Sequence, residues 1–175
     1  MNTNHNIGDT AGPGHSVIER LEALLEQVTD PEIPVVSIRD LGILRDISLD
    51  GSQVTVTITT TYSGCPAMST IKADIRQTLS QAGYENVQVK QSLSPAWTTD
   101  WVTAQGREKL QEYGIAPPQK SSEGLCAMIS PGTAVACPQC RSEHTECISE
   151  FGSTACKALY RCLDCAEPFD YFKCL

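Results

Sequence analysis

Gln53-Val54-Thr55-Val56-Thr57-Ile58-Thr59-Thr60-Thr61-Tyr62-Ser63-Gly64-Cys65-Pro66 is the stretch that decides the fold of the first half of this chain. Val54, Val56 and Ile58 alternate with Thr55, Thr57 and Thr59, the period-2 pattern of a strand with one buried and one wetter face. Upstream lies a second strand-like run, Leu41 to Leu49, and the Asp50-Gly51 between them is a hairpin signal. Downstream, Tyr62 to Pro66 breaks the alternation, and Met68, Ile71, Ile75 and Leu79 restore helical spacing up to a stop at Gly83. Further out, Val17, Ile18, Leu21, Leu24, Leu25 and Val28 describe an amphipathic helix beginning near Ser16 and ended by Asp30-Pro31. Val87 and Val89 with Leu93 predict another strand. Residues 101–113 predict a last helix with Trp101, Val102 and Leu110 inward. The order helix, strand, strand, helix, strand, helix predicts a small α/β sandwich with its helices on one side of the sheet.

The flanks divide the chain further. Residues 1–14 are nearly without apolar content and read as a flexible tail. Residues 15–115 form the α/β domain, 116–136 are a Pro- and Gly-containing linker, and 137–175 are a Cys-rich module too small to fold on hydrophobic burial alone. With 13 Lys plus Arg against 21 Asp plus Glu, the formal charge is −8, which disfavours nucleic acid and anionic membrane surfaces as partners. Transmembrane and secretory segments are not legible, so the expectation is a soluble cytoplasmic protein.

Eight of the nine cysteines fall in the last 50 residues, a density that in a reducing compartment points to metal rather than disulfides. Cys137-Pro138-Gln139-Cys140 and Cys162-Leu163-Asp164-Cys165 are two C-x2-C knuckles with 21 residues between them. Such knuckles bring four thiolates to one tetrahedral ion in a zinc-ribbon-like module. Structural zinc is the first reading, an iron–sulfur centre the second, and a redox disulfide or no metal the third. From Cys126 onward, six acidic residues outnumber four basic ones, which favours a protein partner over nucleic acid. The aromatic run Phe169, Tyr171, Phe172 reads as core before docking surface.

Cys65 stands apart. Pro66 is placed to open a helix, which would set Cys65 near free N–H groups that stabilise a thiolate. Position alone leaves two readings, a reactive or metal-binding thiolate and a small buried apolar residue. Asp30 and Glu32 form a carboxylate pair whose bland reading, a helix stop with solvated charges, is favoured by spacing alone. Glycine-rich nucleotide motifs, flavin fingerprints and di-iron ligand sets are not found, so no catalysis of its own is expected.

Two resemblances add to this. Asp30-Pro31-Glu32-Ile33-Pro34-Val35-Val36-Ser37-Ile38-Arg39-Asp40-Leu41-Gly42 with Thr61-Tyr62-Ser63-Gly64-Cys65-Pro66 resembles the signature of the SufT-like metal–sulfur cluster biosynthesis domain family, over about residues 16–115. That resemblance implies a role in maturing iron–sulfur proteins, with Cys65 as the functional cysteine and Asp30, Glu32 and Thr61 shaping its pocket. Phe151 to Cys162 and Glu167 to Cys174 resemble the tail of the PaaD (PaaJ) family of phenylacetate-degradation proteins. This implies an accessory protein of aerobic phenylacetate catabolism. Its task would be iron–sulfur cluster assembly or insertion for the phenylacetyl-CoA 1,2-epoxidase system, notably its iron–sulfur flavin reductase. A structural or regulatory subunit of the epoxidase complex is the alternative. The tail pattern also implies Cys156 and Cys174 as additional ligands or neighbours of the ribbon's metal, beside Cys137, Cys140, Cys162 and Cys165. It assigns nothing to Cys126 or Cys147.

Overall fold

In the computed structural model, residues 13–62, 64–119 and 135–173 are described. The first helix, α1 (Pro13–Leu25), starts three residues ahead of the position that apolar spacing marks, because proline is tolerated in a first turn where N–H groups have no helical partner. Leu21 and Leu25 on its inner face are fully buried. The hairpin follows as expected, with β1 (Leu44–Asp50) antiparallel to β2 (Gln53–Ile58) across Asp50-Gly51. A register shift between Leu44 and Asp46 marks a bulge at Arg45, whose guanidinium lies 3.6 Å over the Trp101 ring. Trp101 is half-buried: it packs against the core, as the inward reading expects, and its ring is covered by this cation.

Helix α2 (Ala67–Gln81) returns the chain to β3 (Val87–Gln91), which pairs parallel with β2, giving the sheet order β1-β2-β3. Val54, Val56 and Ile58 of β2 meet Leu21 and Leu25 of α1 and Ile71, Ile75 and Leu79 of α2 in one core. Full burial of each such aliphatic chain contributes about 1.5–3 kcal/mol. Leu93 lies beyond β3 and is exposed, so the strand ends earlier than its apolar residues suggest.

Helix α3 (Ala104–Tyr113) departs from the expected one-sided layer. It follows a single 3-10 turn at Thr99–Trp101 and packs against β4 (Ile115–Ala116) and the turn at residues 37–42. The Thr103 hydroxyl caps it by accepting from the Gly106 N–H. A side chain at Gly106 would come within 2.8 Å of the Asp40 carbonyl oxygen, so only glycine permits this approach. Behind it, Asp40 is 2% exposed, and its carboxylate accepts from the Ser37 N–H (3.0 Å) and from Lys109 Nζ of α3 (2.6 Å). Gly42 in the same turn has φ +65°, and a Cβ there would stand 2.5 Å from the Trp101 Cβ. Gly42→Ala is expected to destabilise by about 2–4 kcal/mol, the sum of left-handed strain and overpacking. A urea midpoint lowered by less than about 1 kcal/mol equivalent would show that the turn relaxes freely.

The second sheet has the order β4-β7-β6-β5, with β5 (Thr145–Ser149), β6 (Lys157–Cys162) and β7 (Pro168–Phe172) antiparallel and β4 parallel to β7. Phe169 and Tyr171 are buried in its own core with Tyr160, as the core reading of that aromatic run expects. Ile115 and Ala116, read from sequence as the close of the first domain and the start of a linker, thus supply a strand to the C-terminal sheet. Most of the expected linker, 120–134, and all but two residues of the tail, 1–12, lie outside the described residues. Phe172 leaves the ribbon core altogether. It is 1% exposed within the core cluster of the first half, with its ring 6.2 Å from Trp97, whose indole N–H donates to the Leu41 carbonyl at 2.8 Å. Among the described residues no helix is long and apolar enough to cross a membrane.

Candidate functional site

Two cysteine constellations emerge. In the ribbon, the sulfurs of Cys137, Cys140, Cys162 and Cys165 all lie within 4.8 Å of one another. The Cys137–Cys165 and Cys140–Cys162 separations are 3.7 and 3.5 Å. Four sulfurs at tetrahedral corners about 2.3 Å from a zinc ion would be about 3.8 Å apart, so the donor set fits a structural zinc. The knuckles are built alike: the Cys137 N–H donates to the Ser142 carbonyl and the Cys162 N–H to the Glu167 carbonyl, both at 2.9 Å. In each, the residue after the second cysteine, Arg141 or Ala166, takes a positive φ of 62° or 63°. The Cys162 thiol is lowered to about 7, foremost by a hydrogen bond from the Cys165 N–H, which favours the thiolate a metal requires. Behind the sulfurs, Asp164 ties the knuckles together through His144 Nδ1 (3.0 Å) and the Ser142 hydroxyl. A closed four-thiolate site holds a fold together and leaves no position for a substrate.

The second constellation forms where the two halves meet. Cys65 precedes α2, but the helix N-cap is Pro66, and Cys65 sits one residue outside it. Its sulfur accepts from the Ala67 N–H and from the Tyr62 hydroxyl, yet the thiol is raised above its ordinary range. Burial is the main cause, and the nearby Glu32 and Asp30 carboxylates add to it. The helix-terminus argument for an unassisted thiolate is thereby corrected: two hydrogen bonds do not offset a half-buried position beside negative charge.

Asp30 is buried and caps its own turn, its Oδ1 accepting from the N–H groups of Glu32 (2.8 Å) and Ile33 (2.9 Å). The turn of the helix-stop reading is thus realised, but the Asp30 charge is buried rather than solvated, and the same turn brings Glu32 close enough to the cysteine to act on it electrostatically. Burial, then the Asp30 charge, raises the Glu32 carboxyl, with Lys157 opposing. Burial, then Cys65, pushes the Tyr62 hydroxyl up to about 12. Thr61 lines a cavity of about 220 Å³ with Tyr62, Thr59, Leu93 and Trp97. The buried Thr59 hydroxyl there has no hydrogen-bond partner among the described residues.

Cys156, which the resemblance of the tail implies as an additional ligand or neighbour of the ribbon's metal, lies elsewhere. It is not in the four-sulfur group. It lies just before β6, at the end opposite Cys162, and is 6% exposed within the first half's core cluster, against which Cys65 also packs. Its thiol is raised by burial, its sulfur shares a hydrogen bond of 3.0 Å with the Thr154 hydroxyl, and Glu32, Asp30 and Lys157 act on it electrostatically. Lys157 is 5% exposed, with Nζ 3.3 Å from Asp170. Tyr62 and Lys157 belong to this cluster although sequence reasoning misses both. The available signal for Lys157 is its place directly after Cys156, at the head of the strand Lys157–Cys162. Cys147 packs against the ribbon core beside Tyr160. Cys174 and Cys126 lie outside the described residues.

Residues 18–90 match the iron–sulfur cluster assembly protein family, and residues 124–173 match the PaaD zinc beta ribbon domain. A protein of Escherichia coli (strain K12) described as a 1,2-phenylacetyl-CoA epoxidase subunit is 51% identical over 158 residues, covering 90% of this chain and 93% of that protein. An Fe-S protein maturation auxiliary factor of Porphyromonas gingivalis (strain ATCC BAA-308 / W83) is 36% identical over 100 residues, 55% of this chain and 90% of that one. The crystal structure of a DUF59 domain of unknown function from Bacillus anthracis superposes with a TM-score of 0.52 at 29% identity, covering 55% of this chain and 93% of that one. With an α/β domain of this kind joined to a four-cysteine ribbon, and near full-length similarity to the Escherichia coli protein, the chain belongs to the PaaD family.

Proposed function

We propose that this chain is an accessory protein of phenylacetate catabolism that assists iron–sulfur cluster assembly or insertion for the phenylacetyl-CoA epoxidase system, with the iron–sulfur flavin reductase as its client. The observation that carries this reading is the pocket around Cys65. A cysteine with two hydrogen-bond donors on its sulfur and a carboxylate beside it is placed where the ribbon closes over the first half. The relative named an Fe-S protein maturation auxiliary factor aligns over about half of this chain, and the relative named for the epoxidase aligns with nearly the whole of it. The ribbon, stapled by zinc, is then the client-docking unit. It exposes Ile148 and Phe151 near its β5–β6 end, apolar side chains of the kind a protein partner covers. The protein acts in the cytoplasm.

The test is Cys65→Ser. The variant is expected to keep its zinc and its melting temperature within a few degrees, while growth on phenylacetate is abolished and the reductase accumulates with less than half its iron. Normal growth with a fully loaded reductase would overturn the reading. The Escherichia coli relative is described as part of the epoxidase, which favours a second reading, a stable structural component of that complex. Co-purification with the epoxidase in fixed stoichiometry, unaffected by Cys65→Ser, would select it.

A further inference from the structure

We propose that Phe151, in the β5–β6 turn and backed by Lys173, is the anchor by which this chain grips its client. The ring enters an apolar socket on the client's surface, and a carboxylate at the rim of that socket meets the Lys173 ammonium. The inference rests on the maturation reading above and adds to it the contact that holds the client.

Three observations carry it. The first is exposure without a structural use. Phe151 is 66% exposed, more than any other large apolar side chain among the described residues, and it belongs to neither core cluster. Ile148, also exposed, is turned out of the ribbon by a bulge: Cys147 and Ser149 face the consecutive residues Tyr160 and Leu159, which leaves Ile148 without a register partner on β6. β5 is the outer strand of its sheet.

The second is rigidity. The Ser149 hydroxyl donates to the Phe151 carbonyl at 2.8 Å and accepts from the Phe151 N–H at 3.3 Å. The Gly152 N–H donates to the Lys157 carbonyl at 2.8 Å, and a Cβ on Gly152 would stand 2.8 Å from Asp170 Oδ1, so the turn is seated on β6 and β7. Lys173 Nζ donates to the Glu150 carbonyl at 3.0 Å and lies 4.5 Å from the centre of the Phe151 ring. An aromatic side chain fixed before binding loses little freedom when a partner closes on it, and a few such anchors dominate the energy of an interface.

The third is charge. On β6, Lys157 pairs with Asp170 and Arg161 with Glu146, whereas Lys173 has no carboxylate partner among the described residues. A cation left without an anion beside an exposed ring selects a partner that brings a carboxylate to that point. The same turn runs on to Cys156, buried in the core cluster against which Cys65 packs. A protein gripped at Phe151 is therefore held on the side of the ribbon that meets the first half.

Full-length, zinc-loaded protein is mixed with the client of that reading, the iron–sulfur flavin reductase purified without its cluster, and the affinity is measured at low and high salt. Phe151→Ala is expected to weaken binding at least tenfold while keeping its zinc and its melting temperature within a few degrees. Lys173→Met should weaken it about two- to fivefold at low salt, with the difference closing near ~0.5 M salt, and Lys173→Arg should restore it. Leu49→Ala, at an exposed apolar residue of β1, should leave binding unchanged.

A wild-type chain that does not bind the reductase, or a Phe151→Ala chain that binds it as the wild type does, overturns the proposal. So does a wild-type dimer that Phe151→Ala dissolves, because the socket would then belong to a second copy. Should Phe151→Ala lose its zinc, hydrogen exchange on the wild-type complex decides: slowed exchange at residues 148–151 supports the anchor, and unchanged exchange there overturns it. The maturation reading is judged separately by the reductase's iron. If Phe151→Ala binds normally and Cys65→Ser alone starves the reductase of iron, the anchor falls and the maturation role stands. If Phe151→Ala releases the reductase while neither substitution lowers its iron, the anchor stands and the role falls.

Discussion

Cys162→Ser is expected to remove zinc from the ribbon and, with it, the closure of the Cys65 pocket, although the two sites share no residue. Structural zinc contributes about 10–16 kcal/mol to the folding of small metal modules, at least as much as the total stability of a typical domain. Cys162 is fully buried at the end of β6, hydrogen-bonded through its N–H to Glu167, and its thiol is the one lowered to about 7. Serine there supplies neither charge nor softness. Because β6 begins at Lys157 and Cys156 precedes it, loss of the ribbon withdraws Cys156, Lys157 and Phe172 from the first half. The expected readouts are zinc falling from one per chain to near zero, rapid proteolysis after residue 135, and alkylation of Cys156 that the wild-type protein resists. The first half should keep its helical signal, since α1 and α2 close their core on β2. A variant with bound zinc and a protected Cys156 would show that three thiolates suffice.

Asp40→Ala should be among the most damaging substitutions in the first half, at about 2–4 kcal/mol. The carboxylate is almost wholly buried and accepts from the Ser37 N–H, Lys109 Nζ and the Thr103 hydroxyl, the last at 3.3 Å. Removing one partner of such a pair leaves the rest unsatisfied, at about 3–5 kcal/mol for a fully buried pair. Lys109 is about a third exposed and can turn to water, which discounts that figure. The pH dependence has a defined sign. Burial alone would raise the Asp40 carboxyl, but the Lys109 hydrogen bond and charge and the Ser37 N–H outweigh it and hold it below the ordinary carboxylate range. The pair therefore stabilises fully above the ordinary carboxylate pKa of about 4, and that contribution is lost as pH falls through the lowered value. Asp40→Asn should lose less than Asp40→Ala at pH 7 and flatten the acid limb of the stability profile. Urea unfolding at several pH values would check both, and an unchanged acid limb would remove Asp40 from the account.

What can be read from the sequence is what is local. The alternation of Val54, Val56 and Ile58 is a property of one strand, and the Asp50-Gly51 turn belongs to two adjacent residues; both appear in the structure where the pattern puts them. The knuckles are local too, since two residues between cysteines suffice to bring two sulfurs to one point, and a hairpin does the rest. Illegible are the features made by docking. Asp40 and Lys109 are far apart in sequence, and a lysine in a polar helix carries no mark of its partner. The Cys65 thiol responds to burial and to carboxylates set by another turn, so the direction of its shift does not follow from helix geometry alone. The resemblance of the tail implies Cys156 as a ligand or neighbour of the ribbon's metal, but a six-residue strand carries its two ends to different environments.

The parallel pairing of β4 with β7 bears on how the molecule is made. Ile115 and Asp170 are register partners, so one side of this contact leaves the ribosome 55 residues after the other. Until then the first half has its core built but the face around Trp97 uncovered, and Cys65 lacks the neighbours that the ribbon brings. Contacts of such long sequence separation form late. A chain interrupted anywhere before β7 therefore presents Cys65 without the residues that enclose it in the finished fold, so the enclosure is itself a mark of completion.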